Sequence, residues 1–404
     1  MFVNSRIGNQ TLKWLAIFPL LLSQAVFAQT NQALESGKQA QSLPVNVSKS
    51  AVTSILPTMA IGVDGTIHIA WWEVRGEGVM VIVYSSSRDG ANWSRPYDVS
   101  DGRLSSMFPS IAVDPKGVVH LVWMQKQDQG FDVLYSSLSE GSWSPPENIS
   151  NSEGISQRPK IVTDSKGKTH VLWYDNRRGS FVLYHSWRTG EKWHRPKNAG
   201  LVEWFITDDP EFGLAAGLAV DSNDNLHVVW TDIYDGKQDV FHSSWNGTVW
   251  EKPKNISLKG KSPREHFICT EASGNSHVSW VDEDVVWYTH SEDKTWAIPR
   301  EMNDKVKANL LPSLFSDQSG GMHLAWSGEF SGNKQLLYRH FDGKSWSNLS
   351  RLTDARGQPF GVSILGTSPG KLHVAWVNAV DGIDQIFYQQ GSPSELIKSR
   401  LVER

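Results

Sequence analysis

One short motif, His-x-x-Trp, constrains the fold of this chain more than any other feature of the sequence. It returns seven times, at steps of 46 to 57 residues. The copies begin at His68, His120, His170, His227, His277, His323 and His373. A period of this length is typical of proteins that repeat one small unit, because each unit then buries its apolar face against its neighbours.

The second copy illustrates what one unit contains. Apolar segments at 109–114 and 118–123 flank a Pro-Lys-Gly turn, and two further segments follow at 131–137 and 143–150. Four short strands separated by turn residues are typical of one propeller blade. The sequence therefore predicts an all-β chain that folds as a seven-bladed β-propeller of four-stranded antiparallel blades.

The two ends of the repeat predict how the ring closes. The seventh copy lacks a fourth strand, whereas residues 43–48, Leu-Pro-Val-Asn-Val-Ser, resemble that strand in the other copies. An N-terminal strand in the last blade would leave no long unpaired edge. We therefore expect a propeller over residues 43–392, closed by its N-terminal strand, and a C-terminal tail over residues 393–404.

The first 28 residues read as a signal peptide. Arg6 and Lys13 precede a short apolar run, and cleavage is expected after Ala28. That run is too short to span a bilayer, and the sequence predicts no membrane-spanning segment. We expect a secreted or periplasmic protein in which residues 29–42 form a flexible leader.

Charge and cysteine content narrow the possible partners. The formal net charge is −4, and no basic stripe is present, which argues against a nucleic-acid partner. Cys269 is the single cysteine, so no intramolecular disulfide forms, and a small buried side chain is the expected role. No residue pattern predicts a cofactor.

The repeated histidines and tryptophans are predicted to be structural. One histidine per blade lies too far from the others for them to share a metal ion, so we expect each to form a hydrogen bond within its own blade, and no metal site. Of the 19 tryptophans, 13 occupy two repeated positions. Large rings at equivalent positions are expected to fill the wedges between blades.

Several turns resemble the Asp-box, or BNR repeat, of sialidase-like propellers. The family pattern is Ser-x-Asp-x-Gly-x-x-Trp, and similar segments end at Trp93, Trp143 and Trp346. In the first of them Arg88 occupies the Asp position and Asp89 follows it. This resemblance covers nearly the whole chain after residue 28 and implies only the architecture, because such turns also occur in lectins, receptors and lyases.

Blade three carries a first group of candidate site residues. Arg158 opens its inner strand and is expected to point toward the central channel, while Arg177 and Arg178 follow its second strand. Converging guanidinium groups bind a carboxylate in bidentate fashion. The layout resembles the Arg-Ile-Pro strand of sialidases without its isoleucine, and this resemblance makes Asp175 a possible acid.

The long connection after blade three holds a second group. It contains Glu203, Trp204, Asp208, Asp209 and Glu211. Paired carboxylates beside an exposed aromatic ring suit glycoside hydrolysis or sugar stacking, with Trp204 and Asp209 as candidate ligand contacts. A solvated acidic loop is the alternative interpretation.

A third group lies at the start of blade five. These residues could catalyse β-elimination from a uronic acid sugar, with His266 as the base, Arg264 as the charge neutraliser and Tyr174 as the acid. The alternative is a hydrogen-bonded structural histidine.

Three hypotheses about function follow. The first is an exported propeller that recognises carbohydrate, acidic glycan in particular, on the loop face of blades three to five. The second is an extracytoplasmic polysaccharide lyase or glycoside hydrolase, and the third is a protein-binding scaffold.

Overall fold

The repeat folds into seven separate antiparallel sheets arranged as a ring. The computed structural model describes residues 43–128, 130–199, 216–234, 237–258, 260–304, 306–317, 319–330, 332–352, 357–367 and 370–400. The predicted signal peptide, leader and cleavage site lie outside these residues. The described part of the chain contains no helix long and apolar enough to cross a membrane.

The chain order of the strands follows the repeat. After β1 (Val45–Asn46), blade one contains β2 (Ser54–Ile61), β3 (Ile67–Val74), β4 (Met80–Ser87) and β5 (Tyr97–Asp98). Blade two contains β6 (Ser106–Val113), β7 (Val119–Gln127), β8 (Gly130–Ser139), β9 (Ser142–Trp143) and β10 (Glu147–Asn148). Blade three contains β11 (Ser156–Thr163), β12 (Thr169–Asp175), β13 (Val182–Thr189), β14 (Lys192–Trp193) and β15 (Lys197–Asn198). Blade four contains β16 (Gly217–Val220), β17 (Leu226–Tyr234), β18 (Lys237–Trp245) and β19 (Lys254–Asn255).

The last three blades continue the pattern. Blade five contains β20 (Pro263–Thr270), β21 (Ser276–Asp282), β22 (Val285–Glu292), β23 (Thr295–Trp296) and β24 (Arg300–Glu301). Blade six contains β25 (Lys307–Ser316), β26 (Met322–Phe330), β27 (Asn333–Phe341) and β28 (Ser350–Arg351). Blade seven contains β29 (Phe360–Thr367), β30 (Lys371–Val380) and β31 (Ile383–Gly391), and the chain continues into helix α1 (Pro393–Leu396) and β32 (Ser399–Arg400).

The first strands of the blades line the axis of the ring. Each contacts the first strands of both neighbouring blades, and β29 of the seventh blade contacts β2 of the first. The predicted seven-bladed propeller of antiparallel blades is therefore confirmed. At the junction, β1 pairs with β31, Val45 opposite Tyr388 and Asn46 opposite Phe387. The role of this pairing in closing the ring stays a prediction.

The tryptophans fill the wedges between blades, as predicted. Trp71 of blade one packs against Ala375 and Tyr388 of blade seven, and Trp123 of blade two packs against Ala70 of blade one. All seven tryptophans of the motif are almost completely buried. Each wedge therefore joins two blades, which is how a radial repeat obtains its core. Cys269 is partly buried, and burial raises the pKa of its thiol.

The histidines of the motif form hydrogen bonds within their own blades, as predicted. In five blades the Nδ1 atom lies 2.6 to 2.7 Å from a tyrosine hydroxyl of the third strand, as in His120 with Tyr135. His170 and His227 instead lie 3.1 Å from His185 and His242. Tyr135 in turn contacts Trp193 edge-on, so the histidine helps to fix a ring that packs against the next blade.

Residues 393–400 of the predicted C-terminal tail pack onto the propeller. Ser392 and Glu395 form a reciprocal capping box on α1, and Leu396 is buried in the core between blades six and seven. Strand β32 then adds to the edge of blade six, with Ser350 opposite Arg400. The capping residues are visible in the sequence, but a four-residue helix is too short for its periodicity to identify it.

Candidate functional site

The inner strands share a backbone irregularity near the face that bears the loops. In five blades a residue other than glycine has a positive φ angle, at Leu56 (51°), Phe108 (54°), Arg158 (54°), Glu265 (56°) and Leu311 (47°). In blade seven Gly361 has the same conformation. The strand register shifts at this point in each of these blades. The bulge is therefore a feature of the repeat, and it redirects one side chain of each inner strand.

These irregular positions surround one cavity at the mouth of the central channel. Its volume is about 150 Å³, and residues of blades one, two, three, five, six and seven line it. Its apolar wall includes Leu56, Phe108 and Leu311, and its charged lining residues are Arg158, Lys160 and Glu265. The Arg158 guanidinium carbon lies 3.8 Å from the centre of the Phe108 ring, a cation–π contact that fixes its orientation.

Enclosure in the channel changes the electrostatics of the two cations. Loss of hydration lowers the pKa of both Arg158 and Lys160, and the carboxylate of Glu265 opposes that effect on each. A cation that has lost part of its hydration gains more from a charged hydrogen-bond partner than an exposed one does. The site is therefore suited to an anionic group.

His266 lines the same cavity, and its side chain forms a hydrogen bond with blade four. Its Nε2 atom lies 2.8 Å from the Thr231 hydroxyl, and that hydroxyl donates its proton to the carbonyl of Pro263 at 2.8 Å. The hydroxyl has a single proton, so it accepts from His266, and Nε2 carries the hydrogen. His266 is 5% exposed.

Asp175 and Arg177 form a buried structural pair. Asp175 is completely buried and accepts hydrogen bonds from the Arg177 side chain at 2.6 and 2.8 Å, from Ser156 at 2.7 Å and from Trp173 at 3.2 Å. The Arg177 side chain holds the pKa of Asp175 low despite its burial. Asp175 is therefore an acceptor within its blade, which does not fit the expected role of an acid.

In three blades, the residue two places after the motif tryptophan accepts a hydrogen bond from the indole N–H of that tryptophan. Glu73 and Gln125 accept from Trp71 and Trp123, at 3.1 Å in both cases, as Asp175 does from Trp173. Alignment of the repeats alone could have identified this recurring structural acceptor.

The remaining predicted residues do not all reach the cavity. Arg178 is exposed in the loop after β12 and is absent from the lining, and the Arg264 guanidinium donates to the carbonyl of Glu283 at 3.1 Å. Tyr174 is fully buried between blades three and four. Burial raises the pKa of its phenol, so the expected role of an acid does not fit this placement either. Trp204 and Asp209, with Glu203, Asp208 and Glu211, lie outside the described residues.

The sequence analysis missed Lys160, Glu265 and Phe108. Lys160 lies two residues after Arg158, and Phe108 and Glu265 occupy the Arg158 position in blades two and five. The signal was therefore present in the aligned inner strands, but the bulge that turns these side chains into the channel has no sequence signature of its own.

Comparisons with known proteins give structural likeness without sequence likeness. No family model matches, and no curated protein matches. A polysaccharide lyase, ulvan lyase, is similar with a TM-score of 0.59 at 11% identity, over 86% of this chain and 95% of that one. The α-L-arabinofuranosidase Arb93A from Fusarium graminearum gives 0.53 at 14% identity, over 89% and 99%. The NanB sialidase from Streptococcus pneumoniae gives 0.51 at 14% identity, over 89% and 71%.

Identities this low carry information about the fold alone. The ring of antiparallel blades, the Asp-box-like turns and the match over most of the chain agree with one another. In the first of those turns, the Asp89 carboxylate accepts from the backbone amides of Ala91 and Asn92 at 2.9 and 2.7 Å, which holds the loop before Trp93. The chain is a seven-bladed β-propeller whose fold is similar to those of a sialidase and a polysaccharide lyase.

Proposed function

We propose that this protein binds an acidic glycan at the mouth of the central channel, on the face that bears the loops. The observation that carries the proposal is the pair of enclosed cations, Arg158 and Lys160, on one inner strand. A carboxylate or sulfate group of the ligand would form charge-assisted hydrogen bonds with these enclosed cations, and a neutral sugar would form only weaker ones.

The cavity sets the size of what enters it. At about 150 Å³ it is smaller than the roughly 300–1,000 Å³ of common ligand sites. The acidic group of one sugar unit would enter beside Arg158 and Lys160. The remainder of the chain would lie across the loops, and Phe108 would contribute an apolar surface.

Two further observations support a glycan. The three similar structures described above are of carbohydrate-active proteins, and the ulvan lyase was solved with bound GlcA(1-4)Rha3S, which contains a uronic acid. The predicted signal peptide would deliver this chain to the compartment where such polymers occur. N-terminal sequencing of the secreted protein tests cleavage after Ala28.

A glycan-cleaving enzyme is the second candidate. Glu265 and His266 line the cavity beside the two cations, which gives a carboxylate and an imidazole within one site. If the protein is a lyase, incubation with a uronic-acid polymer releases unsaturated products that absorb ultraviolet light. If it is a hydrolase, new reducing ends appear. A protein-binding scaffold would give neither products nor glycan binding.

The decisive experiment compares binding of a uronic-acid oligosaccharide and a neutral oligosaccharide of equal length by calorimetry. We expect binding of the acidic ligand only. Arg158→Gln and Lys160→Gln should each weaken it at least about tenfold, because a hydrogen bond to a charged group contributes about 1.5–3 kcal/mol. Added salt should weaken it less than for an exposed site, because the cations are enclosed.

The control variants distinguish binding in the cavity from a general attraction of the acidic ligand to positive charge on the protein. Lys116→Gln removes a lysine from an exposed turn on the opposite face and should leave binding unchanged. Arg178→Gln tests the exposed arginine of the blade three loop and should have little effect. Equal binding of both oligosaccharides, or wild-type affinity in a correctly folded Arg158→Gln variant, would refute the proposal.

A further inference from the structure

Blade six brings together three side chains of the kind that bind transition metals. Asp317, His323 and His340 each present one ligand atom, and these atoms all lie within 4.8 Å of one another. Among the residues that the structure describes, no other group of three histidine, cysteine or acidic side chains meets this criterion. We propose that this cluster is a zinc site. It lies at the turn between β25 and β26, on the face opposite the glycan site.

Two of the three ligands belong to the repeat, and the third does not. An acidic residue at the end of the inner strand faces the motif histidine in several blades, as in Asp221 with His227 and Glu271 with His277. His340 lies directly opposite His323 on β27. The equivalent positions in the other blades are Ser86, Ser137, Trp187, Ser244, His290 and Gln390.

A second departure from the repeat opens the space between the ligands. The residue two places before the motif histidine is Gly321 in blade six, whereas it is Thr66, Val118, Lys168, Asn225, Asn275 and Lys371 in the others. A Cβ atom at Gly321 would lie 2.5 Å from Oδ2 of Asp317 and 3.1 Å from Nε2 of His340. Any other residue there would fill the space that an ion needs. Blade five also has a histidine at this position, His290, but it has Asn275 in place of the glycine, so blade six alone combines the histidine with the missing side chain.

The surrounding hydrogen bonds orient the ligand atoms. Oδ1 of Asp317 accepts from the amides of Ser319 and Gly321, both at 2.8 Å, and from the Ser319 hydroxyl at 2.7 Å. This leaves Oδ2 facing Nε2 of His323 at 3.2 Å. The other nitrogen of His323, Nδ1, lies 2.7 Å from the Tyr338 hydroxyl. A histidine held through one nitrogen while it presents the other is the usual arrangement in metal sites.

The chemistry of this donor set favours zinc. Two imidazoles and one carboxylate suit Zn²⁺ in a tetrahedral site, whereas Ca²⁺ and Mg²⁺ require oxygen ligands. The Asp317 side chain is 24% exposed and that of His323 is 4% exposed. Solvent therefore reaches one side of the cluster, where water would complete the coordination. The sequence predicted no metal site, because one motif histidine per blade is too far from the others to share an ion and His340 was not considered with them.

The test is a titration of chelator-treated, full-length protein with ZnCl₂, followed by calorimetry and by thermal unfolding. We expect one equivalent of zinc to bind and to raise the melting temperature, because an ion that binds only the folded state stabilises it. His340→Gln should weaken binding at least tenfold. The matched control is His290→Gln, which removes the histidine at the same position in blade five and should leave binding unchanged.

Gly321→Asn provides a second variant that keeps the fold. Asn225 at this position in blade four donates to Oδ2 of Asp221 at 2.9 Å, so an asparagine should occupy the same atom of Asp317. We expect this variant to fold and to lose zinc binding. Absence of zinc uptake by the wild-type protein, or zinc uptake equal to that of the wild type in His340→Gln or in Gly321→Asn, would overturn the proposal.

Discussion

The hydroxyl of Tyr174 is an unusual polar atom at the boundary between blades three and four. The side chain is fully buried among Leu172, Phe181 and Trp230. Its hydroxyl has no hydrogen-bond partner among the described residues. A buried hydroxyl without a partner has lost its hydration without compensation, which costs stability. The hydroxyl therefore does not stabilise the fold, and its removal distinguishes a catalytic tyrosine from a packing one.

Tyr174→Phe should leave the free energy of unfolding unchanged or raise it by up to about 1 kcal/mol, because the ring keeps its packing. Glycan binding and any turnover should also be unchanged. Chemical denaturation measures the free energy of unfolding, and calorimetry measures glycan binding. Tyr135→Phe is the matched control, since its hydroxyl bonds to His120 and Arg188, and it should lose about 1–3 kcal/mol. If Tyr174→Phe lost activity while it kept the free energy of unfolding of the wild type, the result would support the catalytic role expected from the sequence.

At the scale of the structural element, the motif histidine acts as a connector between strands. In blade two, Nδ1 of His120 bonds to Tyr135 on the third strand, and Nε2 lies 3.6 Å from Asp114 at the end of the first. The ring is buried, so the uncharged form is strongly favoured. Burial lowers the pKa from 6.5 to about 4 for His68, His120, His170 and His373.

These shifts predict that the propeller loses stability in mild acid. Between pH 6.5 and about 4 an unfolded histidine binds a proton that the folded one does not, so protonation favours the unfolded state as the pH falls. One unit of pKa shift corresponds to about 1.4 kcal/mol, so each of these histidines costs the folded state a few kcal/mol as the pH falls from 6.5 to 4. We expect the free energy of unfolding to fall steadily over this range.

Urea denaturation at pH 7, 6 and 5 measures this effect as a falling midpoint, and calorimetry should record proton uptake on unfolding. His68→Gln should flatten the dependence in proportion to the one histidine removed. A midpoint that does not change between pH 7 and pH 5 would contradict the prediction.

At the scale of the whole molecule, the sequence determines the architecture more clearly than the site. Seven copies of one motif specify the number of blades, and their spacing places most strands within a few residues. The candidate site depends on side-chain direction, which the bulges at Arg158 and Glu265 control. Arg158 was identified because it breaks the repeat. The acid role expected of Asp175 does not fit its hydrogen bonds from Trp173 and Arg177, and the aligned repeats could have indicated this acceptor position.

At the junction between the first and last blades, the question is whether the N-terminal strand closes the ring. Ser48 occupies the place in blade seven that Ser150 occupies in blade two. Its hydroxyl bonds to Gln385 at 3.0 Å and accepts from the amide of Ile386 at 3.0 Å, and Ser150 makes the matching pair of bonds with Asp132 and Val133. A two-residue ladder is short, but the side-chain bonds and the buried Val47 add to it.

This arrangement predicts that the few residues before Lys49 stabilise the entire ring. A mature chain that begins at Leu43 keeps them, and one that begins at Lys49 loses the pairing and the burial of Val47. We expect the shorter chain to be less stable by at least about 2 kcal/mol, because a buried apolar side chain and its neighbours' contacts are lost. Chemical denaturation of the two chains measures the difference. Equal stability would mean that the packing of blade one against blade seven holds the ring, and that the N-terminal strand does not close it.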